Sequence, residues 1–258
     1  MASAGHIGSV LVTGCNRGIG LELVKQLLGK PNPPQVVFAT CRDPEGARAQ
    51  ELKALASKHP SLAILQLETT DEESVQAAAK KAEARLGGSG LNLLINNAGI
   101  MLPCTLESAT AKDMLDVYNT NLVGPMLVTK EFLPLLKKAA HASQQKGMSC
   151  GKAAIINMST IGGSIEKIPE TYFLMPVISY RCSKAALNML TKCQSMGYKE
   201  DRILCTALHP GWVKTELGTD QGNLTVKESV SGIMNVLCNL SEKEHGILVT
   251  WEGKTLPW

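Results

Sequence analysis

Ser9-Val-Leu-Val-Thr13-Gly14-Cys15-Asn16-Arg17-Gly18-Ile19-Gly20-Leu21-Glu-Leu-Val-Lys-Gln-Leu-Leu28 decides the architecture of this chain. A short apolar, β-branched run gives way, across a turn holding three glycines, to apolar positions at helical spacing. Glycine is needed first where a strand turns sharply, next where backbone approaches a pyrophosphate, and third where helix and strand pack closely. Gly14, Gly18 and Gly20 fit those roles in order. The helix start that follows offers bare N–H groups and the positive end of its dipole to phosphate. With Asn16, Arg17 and Ile19 these glycines form a candidate dinucleotide cradle.

Outward from this unit, short apolar runs alternate with helical patterns to the end of the chain, which is the mark of βαβ units. Strands are expected at Ser9–Thr13, Val36–Thr40, Ala63–Leu67, Leu91–Ile95, Ala153–Met158, Ile203–Leu208 and Ile247–Thr250. Their nearly continuous apolar character suits parallel strands covered on both faces. Helical stripes run through Val75, Ala78, Ala79, Ala82 and Leu86, and through Val226, Val230, Ile233, Met234 and Leu237. Pro31-Asn-Pro-Pro closes the first helix, and Gly87–Gly90 and Ala142–Gly151 read as loops. No linker or internal repeat interrupts the pattern. The expected fold is α/β: one domain over residues 1–258, a doubly wound, parallel, seven-stranded sheet of Rossmann type with helices on both faces.

Composition limits the function classes. Apolar residues make up 44% of the 258 and charged residues 19%, as in a globular protein with a sizeable core. The net charge of +3 is spread along the chain, without the basic face a nucleic-acid binder shows. Eight cysteines form no C-x-x-C pair, so neither a zinc site nor a disulfide framework is indicated and no metal is expected. The apolar run Val10–Val12 is too short for a signal peptide, and no stretch reaches membrane-spanning length. A cytoplasmic protein is the expectation.

The tip of the second strand bears on which dinucleotide fits. NAD enzymes place a carboxylate there to hold ribose hydroxyls, and NADP enzymes a cation. Here Cys41 stands at that place and Arg42 follows it, with Arg17 as a second guanidinium inside the glycine turn. Guanidinium groups suit multidentate phosphate contacts, so NADP(H) is the expected cofactor.

Of four tyrosines, Tyr180 alone has a lysine four residues on, in Tyr180-Arg-Cys-Ser-Lys184. On a helix these share a face, and a neighbouring ammonium is expected to lower the phenol's pKa. The pair gains weight from the motifs around it: Thr13–Gly20, Asn96-Asn97-Ala98-Gly99, Asn121, Ile155–Gly163, and Pro210-Gly211-Trp-Val-Lys-Thr215. In order and spacing these resemble the short-chain dehydrogenase/reductase family over the whole chain. Within it the likeness is greatest to Sniffer-type carbonyl reductases, through Pro33-Pro34-Gln35, His209-Pro-Gly-Trp-Val-Lys-Thr and Gly253-Lys-Thr-Leu-Pro-Trp258.

The resemblance implies a carbonyl reductase in which Tyr180 protonates the carbonyl oxygen as hydride arrives from NADPH, and Lys184 binds the ribose. It implies that Asn121 positions a water. Asn97, Ala98, Gly99, Pro210, Gly211, Val213 and Thr215 would run beside the cofactor. Two departures from the family pattern stand out. The family's serine falls on Thr160, with Ser159 one place earlier, so either hydroxyl is a candidate to hold the carbonyl. The acid near the adenine is Glu68 in place of aspartate. Met101, Tyr172, Phe173, Met175, Trp212 and Leu217 would enclose a small-molecule aldehyde, ketone or quinone in an apolar pocket. The family also implies a homodimer through the helices carrying Asn121 and Tyr180. Rival readings are a hydroxysteroid or alcohol dehydrogenase using the same residues, and a catalytically weak NADP(H)-binding sensor.

Overall fold

A computed structural model describes residues 6–258, in which strands and helices alternate as the periodicity predicts. The strands are β1 Ser9–Val12, β2 Val36–Cys41, β3 Leu62–Gln66, β4 Leu93–Asn96, β5 Ala154–Met158, β6 Leu204–His209, β7 Leu248–Thr250 and β8 Thr255–Leu256. The helices are α1 Gly18–Leu28, α2 Gln50–Ala56, α3 Glu72–Leu86, α4 Ala111–Tyr118, α5 Gly124–Ala142, α6 Ile168–Thr171, α7 Ile178–Gly197 and α8 Val226–Asn239. All seven expected strands form, each within two residues of its predicted ends. The count needs one correction: the sheet has eight strands, because β8 turns back and pairs antiparallel with β7, Leu248 opposite Leu256. The expected helical stripes lie in α3 and α8.

Strand order is β3-β2-β1-β4-β5-β6-β7-β8, parallel up to β7. Side chains alternate across the sheet, so each strand feeds two cores. Val10, Val12, Ile95 and Ile156 pack with Leu23 and Leu27 of α1 and Ile233 and Leu237 of α8. On the other face Leu11, Phe38, Leu94 and Ile155 meet Val75 and Ala78 of α3 and Val128, Phe132 and Leu136 of α5. Burying a side chain such as Phe132 contributes about 1.5–3 kcal/mol. Helix ends are fixed locally: the Asp71 carboxylate accepts from Glu73 and Ser74 N–H at the start of α3, and Gly87 closes it at φ +57°. Thr110 with Asp113 and Thr225 with Glu228 form capping boxes on α4 and α8. Among the described residues no helix is long and apolar enough to cross a membrane.

The order reverses between β1 and β4, where the chain leaves in opposite directions and opens a crevice beyond the strand ends. That crevice holds the candidate site.

Candidate active site

The glycine turn lies at the mouth of the crevice, and its conformation requires glycine. Gly14 has φ +69°, and a Cβ there would lie 3.1 Å from Ala98 Cα. A Cβ on Gly20 would stand 2.2 Å from the Gly14 carbonyl oxygen, so helix and strand approach as only glycine permits. The turn is tied to the Asn97-Ala98-Gly99 turn after β4. Thr13 Oγ1 accepts from the N–H groups of Asn97 and Ala98, both at 2.9 Å, and Asn97 Nδ2 donates to Thr13 O at 2.8 Å.

A single cavity of about 680 Å³ runs from this cradle to Tyr180. Gly14, Asn16, Arg17, Gly18, Ile19, Gly20, Arg42, Glu68, Asn97, Ala98 and Gly99 line one part of it, joined by Pro210, Gly211, Val213 and Thr215. At the mouth Arg17 pairs with Glu216 at 3.1 Å, and Arg42 Nε lies 3.7 Å from Glu68 Oε2. Arg48, which the sequence did not single out, also reaches Glu216, at 3.4 Å. These pairs are exposed, and such pairs are worth at most about 1 kcal/mol, so an incoming phosphate meets weak competition for three guanidiniums. No carboxylate stands at the tip of β2, where Cys41 is buried. The residues present therefore fit a dinucleotide with a phosphorylated ribose.

At the other end, α7 carries Tyr180 and Lys184 on its buried face, with the Lys184 Nζ 5.6 Å from the Tyr180 ring centre. Lys184 Nζ donates to Met158 O at 2.7 Å. A Cβ on Gly99 would lie 3.2 Å from Asn121 Oδ1 and 3.7 Å from that Nζ, so the small turn, the amide and the amine converge. Asn121 sits in a π-helical turn, Asn119–Val123, joining α4 to α5. Such turns recur at functional sites. Its Oδ1 accepts from Ile100 N at 2.9 Å, and its Nδ2 donates to Ile100 O at 2.8 Å and Ser183 Oγ at 3.0 Å. Burial governs the protonation of the pair. It pushes the Tyr180 phenol up to about 12 and the Lys184 amine down to about 8. The expectation that the lysine lowers the phenol's pKa is therefore corrected: removal from water disfavours both charges.

After β5, the two candidate hydroxyls are engaged differently. Ser159 Oγ donates to Asn188 Oδ1 at 2.6 Å. Thr160 Oγ1 accepts from Gly162 N–H at 3.1 Å, a bond that leaves its own proton free. Both residues line the cavity.

Met175, Trp212 and Leu217 also line it, with Leu174. Met101, Tyr172 and Phe173 do not; Tyr172 and Phe173 stack edge-on at 5.2 Å, and Phe173 points outward, 89% exposed. Besides Arg48, sequence reasoning passed over His209 and Arg181, both within quoted motifs and both on the cavity wall. Burial takes the His209 imidazole down to about 4, so it is neutral. Cys15, inside the glycine turn, is buried with its thiol pKa raised, and Cys182, two residues after Tyr180, is exposed. Among the described residues no cluster of His, Cys, Asp or Glu is arranged to hold a metal.

Comparison with known proteins bears on this arrangement. The family model for short chain dehydrogenase matches residues 8–223. A carbonyl reductase from chicken fatty liver, solved with NADPH bound, is 57% identical; the likeness spans 99% of this chain and 96% of that one at a TM-score of 0.95. The carbonyl reductase Sniffer of D. melanogaster is 42% identical over 98% of this chain and 100% of its own, at a TM-score of 0.93. Among curated relatives, the short-chain dehydrogenase srdF of Neurospora crassa is 31% identical over 96% of this chain and 97% of its own. The chain belongs to the short-chain dehydrogenase/reductase family, and within it is most like the Sniffer-type carbonyl reductases.

Proposed function

We propose that this protein is an NADPH-dependent carbonyl reductase. The observation that carries the reading is one continuous cavity with a glycine cradle and three arginines at one end and the hydroxyls of Tyr180 and Thr160 at the other. When bound, the cofactor supplies a hydride to the carbonyl carbon. Arg17, Arg42 and Arg48 hold its phosphorylated ribose, and Lys184 meets the nicotinamide-side ribose. Tyr180, a phenol that is protonated at neutral pH, gives its proton to the carbonyl oxygen. Thr160 donates the hydrogen bond that steadies that oxygen as charge gathers on it. Asn121 keeps Ile100 and Ser183 in register beside Lys184. Met175, Trp212 and Leu217 give the substrate an apolar wall suited to aldehydes, ketones or quinones. The chicken relative's NADPH and the carbonyl reductase activity named for both animal relatives support the same reading.

The chain would work as one domain, in the cytoplasm, where all eight cysteines stay as free thiols. Two copies would pair through α5 and α7, whose Met126, Met189 and Met196 are exposed; a monomer by light scattering would remove that part.

The test is NADPH oxidation against a panel of aldehydes, ketones and quinones, with NADH in parallel. We expect turnover with kcat/KM at least about tenfold higher for NADPH, equivalent to about 1.4 kcal/mol. Preference for NADH overturns the cofactor reading. Steroid or alcohol oxidation without carbonyl reduction would make the protein a dehydrogenase, and tight NADPH binding without turnover a sensor.

A further inference from the structure

Arg181 follows Tyr180 directly, yet its side chain is only 6% exposed, and it takes part in none of the ion pairs among the described residues. A buried cation without a carboxylate is costly to keep unless its N–H groups are bonded. Here they are. Nε donates to Met175 O at 2.8 Å, and NH1 to Gly162 O at 3.2 Å and Thr171 Oγ1 at 3.0 Å; NH2 donates to Thr171 O. The fork thus joins two separate pieces of the site. One is the turn Ile161–Gly163, whose Gly162 N–H fixes the Thr160 hydroxyl. The other is the segment from Thr171 to Met175, where Leu174 and Met175 form the substrate wall.

That wall has little else to hold it. Neither α6 nor the turn Tyr172–Leu174 buries a side chain, and Ile165 and Leu174 are 74% and 68% exposed. Two main-chain bonds to distant parts of the chain flank the wall without reaching it, Glu166 N to Trp258 O at 3.1 Å before it and Ile178 N to Cys104 O at 3.0 Å after it. Hydrophobic packing cannot set the wall's position, so charge-assisted bonds from one planar guanidinium must. A lysine presents three donors from a single atom and cannot span the same acceptors.

We propose that Arg181 is a positioning residue that sets substrate selectivity by pinning the Thr171–Met175 wall to the turn that aims Thr160. The proposal rests on the carbonyl reductase reading for its kinetic consequences but not for the clamp itself.

The test uses the full chain with Arg181→Lys and Thr171→Val; the second retains the guanidinium and loses one of its acceptors together with the Thr171 Oγ1 bond to Lys167 O, which the first keeps. Benzophenone and propanal serve as bulky and small probes, NADPH affinity is titrated by fluorescence, and hydrogen exchange is followed over residues 164–176. We expect R181K to raise KM for benzophenone about tenfold or more, with KM for propanal changed less and NADPH affinity within about twofold. T171V should move KM in the same direction by about threefold, and exchange over 164–176 should quicken in both. A fall in kcat with KM unchanged for both probes, or NADPH affinity falling in step, would mean a general folding role and overturn the proposal. So would unchanged exchange in both variants. Should the wild-type protein reduce no carbonyl at all, the functional reading falls, and the exchange measurement alone decides for or against the clamp.

Discussion

Ser159 and Thr160 are neighbours at the end of β5, and their hydrogen bonds separate them. The proton of Ser159 is committed to Asn188, whereas Thr160 lines the cavity with its proton uncommitted and its oxygen steadied by Gly162. Thr160→Ala is expected to lower kcat for carbonyl reduction by about 10²–10³, the usual effect of losing one donor to a developing oxyanion. Ser159→Ala should act less on turnover and cost about 1 kcal/mol of stability, the worth of one buried hydrogen bond. Steady-state kinetics on both variants decide the matter; the reverse order would reassign the role to Ser159. At this scale the sequence is legible where spacing itself carries the chemistry, as with Tyr180 and Lys184 one helical turn apart. It is silent where a partner distant along the chain decides. Nothing in Ser159-Thr160 announces Asn188, and nothing in Arg181 announces Thr171 or Gly162. Tyr172 and Phe173 read as pocket residues because they precede Tyr180, but both lie in the turn Tyr172–Leu174, which buries no side chain and leaves Phe173 in solvent.

Among the elements, the β1 to α1 turn has the least freedom. An alanine at Gly20 would place its Cβ 2.2 Å from Gly14 O and 2.6 Å from Asn97 Nδ2, so the turn or the helix must shift. Overpacking of this kind costs about 1–3 kcal/mol, which lowers Tm by roughly 2–12 °C for a chain of this size. NADPH affinity should fall with it. Gly197→Ala is the control: nothing lies within 4 Å of its would-be Cβ at the end of α7, and Tm should hold or rise slightly. Thermal melts and cofactor titration of the two variants measure both effects. The same turn was the most readable element, since the change from strand to helical period and the glycine spacing coincide there. The eighth strand was missed because Thr255–Leu256 is too short to show alternation and exists only by pairing with β7.

For the whole molecule, the buried pair on α7 links stability to pH. Lys184 has its pKa lowered from 10.5 to about 8, so between those values the unfolded chain holds the extra proton and stability rises with pH. Tyr180 is raised from 10.0 to about 12, so above 10 the folded state keeps a proton that the unfolded chain loses, and stability falls through that window. At neutral pH the burial of Lys184 costs roughly 3 kcal/mol, at 1.36 per pKa unit. Lys184→Met should therefore raise the Tm of the protein without added cofactor by a few degrees at pH 7 while abolishing turnover. That advantage should shrink as pH climbs from about 8 to 10.5. Calorimetry across the range tests it: a variant less stable at pH 7, or an advantage that grows with pH, contradicts the account. The fold class was plain from alternating periods along the chain. The cavity was less so, because its wall gathers residues from Gly14 to Val226, and strand order, which brings them together, is written in no local pattern. One property of the clamp reaches beyond present chemistry. Three of its four bonds end on main-chain carbonyl groups, which every amino acid supplies. Mutations at Leu174 or Met175, whose side chains take no part in it, can thus exchange the face shown to a guest molecule and leave the fastening intact, an arrangement that lets lineages drift toward new substrates one codon at a time.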